Sequence, residues 1–259
     1  MKIATWNING VRARLEGAVA WVADAKPDVL CFQEIKTEDP AFPRTAFEDL
    51  GYNVETYGQK GFNGVAILSK LPFDEVSRGL PGFEDPQARF LEAVFSFRGG
   101  AIRVVSLYLP NGNPVESEKF GYKLAWIAAF EAYARSRLAD EAPLVLAGDY
   151  NIIPEPDDAR NPAAWTKDAL FQPESRAAYR RLLNLGLTDA FRACEPAPGF
   201  YTFWDYQAGA FQKNNGIRID HLLLSPQAAD RLVSASIDKR TRGWDKPSDH
   251  VPVVIELDL

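Results

Sequence analysis

Two β-sheets packed face to face with helices on their outer sides are the fold class the sequence predicts, an α/β arrangement of the α+β kind. Three observations point there. Short runs rich in Val, Ile and Leu outnumber helical patterns. Several runs adjoin as hairpins, as around Asn63-Gly64, which fits a mixed sheet better than a parallel sheet wound from βαβ units. No repeat, Ser/Gly linker or long charge block divides the 259 residues, so one domain is expected. Sheets of this kind bury one face against each other and the other under helices.

In chain order, strands are expected at residues 2–7, 28–34, 52–57, 64–69, 90–97, 101–109, 143–149, 217–224 and 251–257. A first helix follows Val11, Leu15, Ala18, Val19 and Val22, and a second follows Phe120, Leu124, Ile127, Ala134 and Leu138. Spacings of three and four give each one apolar face. A third starts at Pro173, runs through Tyr179, Leu182 and Leu183, and stops near Gly186. Pro154 to Gln172 has no periodicity and reads as a surface loop.

Composition narrows the function. With 46% hydrophobic and 25% charged residues, the chain is neither a disordered effector nor a fibre. Its 29 Lys and Arg against 35 Asp and Glu, net −6, exclude wrapping of nucleic acid by bulk positive charge. A local basic rim remains compatible, and residues 211–246 carry seven Lys or Arg against four Asp. Two cysteines, Cys31 and Cys194, are too few for a disulfide framework, and Cys31 sits in an apolar run as a small buried thiol would. Met1-Lys2 leads directly into a strand pattern, and no stretch of about 18 apolar residues follows. A soluble cytoplasmic protein with no membrane partner is expected.

Four strands end in polar groups. Asn7, Gln33-Glu34, Tyr108, and Asp149 with Asn151 just beyond it close successive apolar runs. Neighbouring strand ends lie side by side, so four such endings point to one mouth. Alternation puts Val145, Ala147 and Asp149 on one face, and likewise Leu30, Phe32 and Glu34. Each carboxylate thus continues a buried series and needs a partner or a metal. Taken singly, a salt bridge from Glu34 to Lys36 and a turn at Gly148-Asp149-Tyr150-Asn151 are the simpler explanations.

Only two histidines are present. His250, between Pro247 and Pro252, enters an apolar strand, whereas His221 faces away from Asp220 in a regular strand and is assigned to structure. Asp220 is then the partner that fixes the tautomer of His250 and stabilises its charged form. Glu, Asp, Asn and His without a cysteine set make a hard site suited to Mg²⁺ or Mn²⁺. No Walker A sequence, dinucleotide-binding glycine fingerprint or Gly-x-Ser-x-Gly is present, so nucleotide motors, dehydrogenases and serine hydrolases lose support.

Nine blocks in order carry a resemblance: Thr5-Trp-Asn-Ile-Asn-Gly-Val-Arg-Ala, Gln33-Glu34, Gly61-Phe-Asn-Gly-Val-Ala, Tyr108-Leu-Pro-Asn-Gly, Gly148-Asp-Tyr-Asn, Leu187-Thr-Asp-Ala-Phe-Arg, Tyr201-Thr-Phe-Trp-Asp-Tyr, Arg218-Ile-Asp and Ser248-Asp-His. They resemble the bacterial exonuclease III family, in the wider endonuclease/exonuclease/phosphatase superfamily. The resemblance implies a four-layer sandwich of two mixed sheets flanked by helices, one catalytic domain over residues 1–259, and a Mg²⁺-dependent DNA repair nuclease. Its implied activities are 3′-to-5′ exonuclease, abasic-site endonuclease and 3′-phosphatase. By position, Glu34, Asn7 and Asp249 are implied at the metal. Tyr108, Asp149, Asn151, Asp220 and His250 are implied in catalysis, with either Asp149 or His250 as base. Phe203, Trp204 and Ile217 are implied around a base-free sugar. Duplex DNA with abasic sites and 3′ ends is the implied partner, and a monomer is expected. The competing readings are a superfamily member acting on a phosphoinositide or sphingomyelin, and a catalytically silent nucleic-acid- or protein-binding relative.

Overall fold

The computed structural model describes residues 1–259. In its first half come β1 (Lys2–Asn7), α1 (Leu15–Ala25), β2 (Val29–Gln33), α2 (Arg44–Glu48), β3 (Asn53–Tyr57), β4 (Val65–Ser69), β5 (Glu75–Arg78), β6 (Phe90–Phe97) and β7 (Gly100–Tyr108). Then follow α3 (Glu118–Leu138), β8 (Leu144–Asp149), α4 (Pro173–Asn184), β9 (Thr188–Asp189), α5 (Ala190–Cys194), β10 (Asp220–Leu224), α6 (Pro226–Ala229), β11 (Leu232–Ile237) and β12 (Val253–Leu257). They form two six-stranded sheets, ordered β11-β12-β1-β2-β4-β3 and β5-β6-β7-β8-β10-β9. Each sheet is built on a central parallel pair joined through a helix, β1-α1-β2 or β7-α3-β8, with antiparallel neighbours on both sides. The C-terminal ends of β1, β2, β7 and β8 are the four polar strand endings read in the sequence.

The inner faces meet in one core that includes Ile3, Val29, Cys31, Val104, Val145, Ala147 and Leu222. On the outer face of the first sheet, Trp6 and Phe32 pack under Trp21 and Val22 of α1 and Phe47 of α2. On that of the second, Val105, Leu107 and Leu146 pack under Trp126 and Phe130 of α3 and Tyr179 of α4. These four layers bury both faces of the inner strands, and each fully buried aliphatic or aromatic side chain contributes roughly 1.5–3 kcal/mol. Inner strands must therefore be apolar at nearly every position, which is why they were legible. The three strands absent from the sequence reading, β5, β9 and β11, are all at sheet edges. β5 and β11 are largely exposed, so their residues need not be apolar.

Two further expectations change. The buried stripe of α3 is Lys123, Trp126, Ile127, Phe130, Tyr133 and Ala134, whereas Phe120, Leu124 and Leu138 of the expected face are only half-buried. The segment 154–172 is not simply a surface loop: Asp158, Ala159, Ala169 and Leu170 are buried. No helix is long and apolar enough to cross a membrane.

Asp158 is buried because it is paired. The Arg218 guanidinium donates to Asp158 Oδ1 at 2.7 Å and to Asp189 Oδ2 at 2.8 Å, and its Nη1 lies 3.0 Å from His221 Nδ1. Arginine only donates, so His221 Nδ1 accepts and its Nε2–H donates to the Ile152 carbonyl at 3.2 Å. This confirms His221 as structural and ties β10 to the segment following β8. Burial pushes the His221 imidazolium down to about 4. Burial alone would raise the Asp189 carboxyl, but Arg218 outweighs it and holds Asp189 at about 2.

Because the folded pKa of Asp189 is depressed to about 2, its stabilising contribution is present above about pH 4 and is lost as pH falls toward it. His221, depressed to about 4, erodes stability over the window from about pH 6.5 downward, where the unfolded chain binds the proton first. Arg218→Met should cost about 3–5 kcal/mol at pH 7 by removing the one cation paired with buried Asp189 and one of the two, with Arg192, paired with Asp158. Urea unfolding at pH 7 and pH 4 should show the gap to the wild type narrowing in acid, as those carboxyls take up protons. A pH-independent gap would mean that packing alone is responsible.

Candidate active site

Register assembles much of the site. Tyr108 lies opposite Asp149 across β7 and β8, and Asp149 opposite Asp220 across β8 and β10. The approach of β8 to β7 is close: a Cβ on Gly148 would stand 2.0 Å from the Leu107 carbonyl oxygen, so only glycine fits before Asp149. In the other sheet Asn7 is opposite Gln33. The segment carrying His250 is tied to β1 by Ser248 Oγ, which donates to the Asn7 carbonyl at 2.7 Å, and by Trp6 Nε1, which donates to the His250 carbonyl at 3.1 Å.

Glu34 reaches the cleft by a route that alternation does not give. Leu30 and Phe32 face the outer, helix-covered side, and continued alternation would send Glu34 there too. Instead β2 ends at Gln33 and Glu34 takes a left-handed φ of 49°, with its carbonyl accepting the Gly10 N–H at 2.7 Å. The turn swings the carboxylate back between the sheets. Non-glycine residues adopt this conformation rarely. The Lys36 salt bridge is real as well, at 2.9 Å. Burial would raise the Glu34 carboxyl, but Lys36 and the Asn7 amide outweigh it and hold it below its ordinary value.

Asn7 Nδ2 donates to Glu34 Oε1 and to Asp149 Oδ2, each at 2.9 Å. Its Oδ1 accepts the Asn9 N–H at 3.0 Å. In this arrangement its NH₂ spans the two carboxylates. Asp149 Oδ1 accepts the Asn151 N–H at 2.9 Å, so Asp149 is both a turn residue and a site residue. His250 Nδ1 lies 2.8 Å from Asp220 Oδ2, and its Nε2 lies 3.7 Å from Asp149 Oδ2. Burial disfavours the imidazolium, but the two flanking carboxylates outweigh it and the His250 pKa rises. Burial raises Asp149 as well, with His250 partly offsetting it. Burial, reinforced by Glu34 and Asp149, keeps the Tyr108 hydroxyl well above its ordinary value and therefore protonated.

One ligand atom each from Glu34, Asp149 and His250 lies within 4.8 Å of the others, a set that excludes Asp249. Asp249 instead accepts from Asn9 Nδ2 at 2.9 Å, beside the cluster. A model of the "Endonuclease/Exonuclease/phosphatase family" matches residues 4–250. The chain belongs to that family.

Among its relatives, "Exodeoxyribonuclease III" of Haemophilus influenzae is 38% identical over 266 residues, covering 99% of this chain and 100% of that one. Two solved structures have a TM-score of 0.95 and full coverage of both chains: the 3′ phosphatase NExo from Neisseria bound to a product DNA hairpin, at 39% identity, and an AP endonuclease from Archaeoglobus fulgidus, at 38%. The chain is a metal-dependent hydrolase of the exodeoxyribonuclease III type. Its residues fit a hard dication: two oxygen donors, Glu34 and Asp149, share one amide, and burial penalises Asp149 as an anion.

The remaining assignments divide. Phe203 is half-buried with its ring edge-on to His250 at 5.0 Å. Trp204 corrects the sugar-pocket reading: it is fully buried with Tyr201, Ala210 and Val251 and has no surface to offer a substrate. Ile217 is 1% exposed and packs with Ile153, Ala159 and Leu170. The basic stretch 211–246 is not one face. Arg218 is buried, and Arg240 pairs with Asp238 and Asp24. Asn9, Lys36 and Asn111, which braces Asn151, lacked sequence signals strong enough to mark them as site residues.

Asp220→Asn keeps the shape of the imidazole's partner and removes its charge. Turnover should fall by about 10²–10⁴-fold with little change in KM, by analogy with charge removal in serine-protease triads. Steady-state kinetics on an abasic duplex would check this, and a pure KM effect would mean that Asp220 serves binding.

Proposed function

We propose that the chain is a Mg²⁺-dependent DNA repair nuclease, with Mn²⁺ as the substitute ion. On this reading it is a monomeric, single catalytic domain over residues 1–259 that hydrolyses duplex DNA at abasic sites and 3′ ends. The observation carrying this reading is the convergence of Glu34 from one sheet with Asp149 and the Asp220–His250 pair from the other. A bound dication would be held by Glu34 and Asp149 and would neutralise charge on the phosphoryl oxygens and the leaving 3′-oxygen.

The chain's own groups supply the rest. His250 spends Nδ1 on Asp220, leaving Nε2 to donate toward a phosphoryl oxygen. Asp149, acceptor to two neighbours through different oxygens, is placed to take the proton of an in-line water. Tyr108 remains a hydroxyl donor. At the rim, Tyr206 is 49% exposed under the Arg242 guanidinium, and its hydroxyl is 3.2 Å from Arg14. An aromatic ring set among cations suits a nucleic-acid backbone with stacked bases.

A gel assay on intact, recessed and abasic duplexes should show cleavage that EDTA abolishes. Binding without cleavage across several metals would support a silent relative instead, and activity on phosphoinositide alone would support the non-DNA branch. Asp149→Ala and His250→Ala should each slow turnover by about 10²-fold or more while DNA binding changes less than tenfold. Near-normal turnover in both would remove the assignment.

A further inference from the structure

We propose that Lys123 is a positioning residue for this hydrolysis, holding the turn that carries Asn151 beside Asp149. The inference rests on the nuclease reading above. Lys123 lies on the core-facing stripe of α3 with Trp126, Ile127 and Phe130, and it is completely buried. A buried ammonium is costly unless its hydrogen bonds are made and its charge serves a purpose. Its Nζ donates to the Asn151 carbonyl at 2.5 Å and to the Asn111 carbonyl at 3.0 Å, and no carboxylate is paired with it.

Those two carbonyls belong to the segments that follow β8 and β7. Asn151 has a left-handed φ of 48°. Its Nδ2 donates to the Leu109 carbonyl at 2.8 Å, and its Oδ1 accepts from Asn111 Nδ2 at 3.2 Å. Lys123 therefore grips Asn151 by its backbone and also grips the residue that braces the Asn151 side chain. The turn closes around the lysine stem, since a Cβ on Gly112 would stand 2.6 Å from Lys123 Cδ. Without that donor, two buried carbonyls are left unpaired and the segments keep only the hydrogen bonds among Leu109, Asn111, Asp149 and Asn151. The placement of Asn151 beside Asp149 is then loosened.

The test is a double-mutant cycle of Lys123→Met and Asn151→Ala, with kcat and KM measured on an abasic duplex. Lys123→Met should lower kcat by about ten- to a hundredfold with KM within about threefold. In the Asn151→Ala background it should cost less than about twofold more, because its route of action is already gone. Equal factors in both backgrounds, or no kcat effect in a folded single variant, would overturn the proposal. Lys123→Gln, which keeps a donor, should hold kcat within about threefold of the wild type, and a loss of about a hundredfold or more in this folded variant would contradict the clamp. Amide hydrogen exchange provides a readout that does not require cleavage. Lys123→Met should speed exchange at residues 109–112 and 150–153 and spare the sheet cores, and uniform acceleration or none would contradict the clamp. A wild-type protein that leaves every DNA intact while showing the local exchange effect would refute the nuclease reading and retain the clamp.

Discussion

The Asn7 side chain spans the space between the two sheets, with its NH₂ group 2.9 Å from a carboxylate oxygen of Glu34 and 2.9 Å from one of Asp149. Two anions facing each other in a water-poor cleft repel, and the amide supplies one donor to each. Everything around it supports that arrangement. Gln33 Nε2 donates to Ser106 Oγ, and Ser106 Oγ donates to the Phe32 carbonyl, fastening the sheets just behind the site. The cleft is where two hydrophobic sheets stop being apolar at the same level. A hard cation suits it because the remaining charge imbalance is negative and made of oxygen.

Much of this was written in the chain. Asn7, Tyr108 and Asp149 follow from a simple rule, that strands buried on both faces are apolar until they emerge, so a polar residue at the end of a long run marks the mouth. The separation of His221 from Asp220 follows from alternation and the pairing of Asp220 with His250 from the need of an imidazole for a carboxylate partner, and the pair stands at 2.8 Å. Glu34 was found for a reason that proved incomplete, because the left-handed turn and not the strand period sets its direction. The edge strands β5 and β11 escaped notice because solvent relaxes the demand for apolar residues, and Trp204 was misplaced because its core contacts come from residues up to 47 positions away. Lys123 carried a signal, a lysine among the tryptophan and phenylalanine of one helical face, but only the correct phase of that helix reveals it.

The site is also supported from behind by charges that take no part in it. Arg218 binds two carboxylates and one imidazole in the interior, and through His221 it fixes the carbonyl next to Asn151. Lys123 holds Asn151 from the other side. The segment after β8 is therefore held by two buried basic side chains, Arg218 through His221 and Lys123 directly. Rigid placement of groups around a phosphate is worth more to catalysis than loop freedom.

The central claim, that carboxylates from two different sheets build one cation site, is tested most directly by titrating Mn²⁺ into the protein without DNA and following free ion by electron paramagnetic resonance. The account predicts that Glu34→Gln in the first sheet and Asp149→Asn in the second each abolish the same binding event. Binding that survives either substitution at wild-type affinity would contradict it.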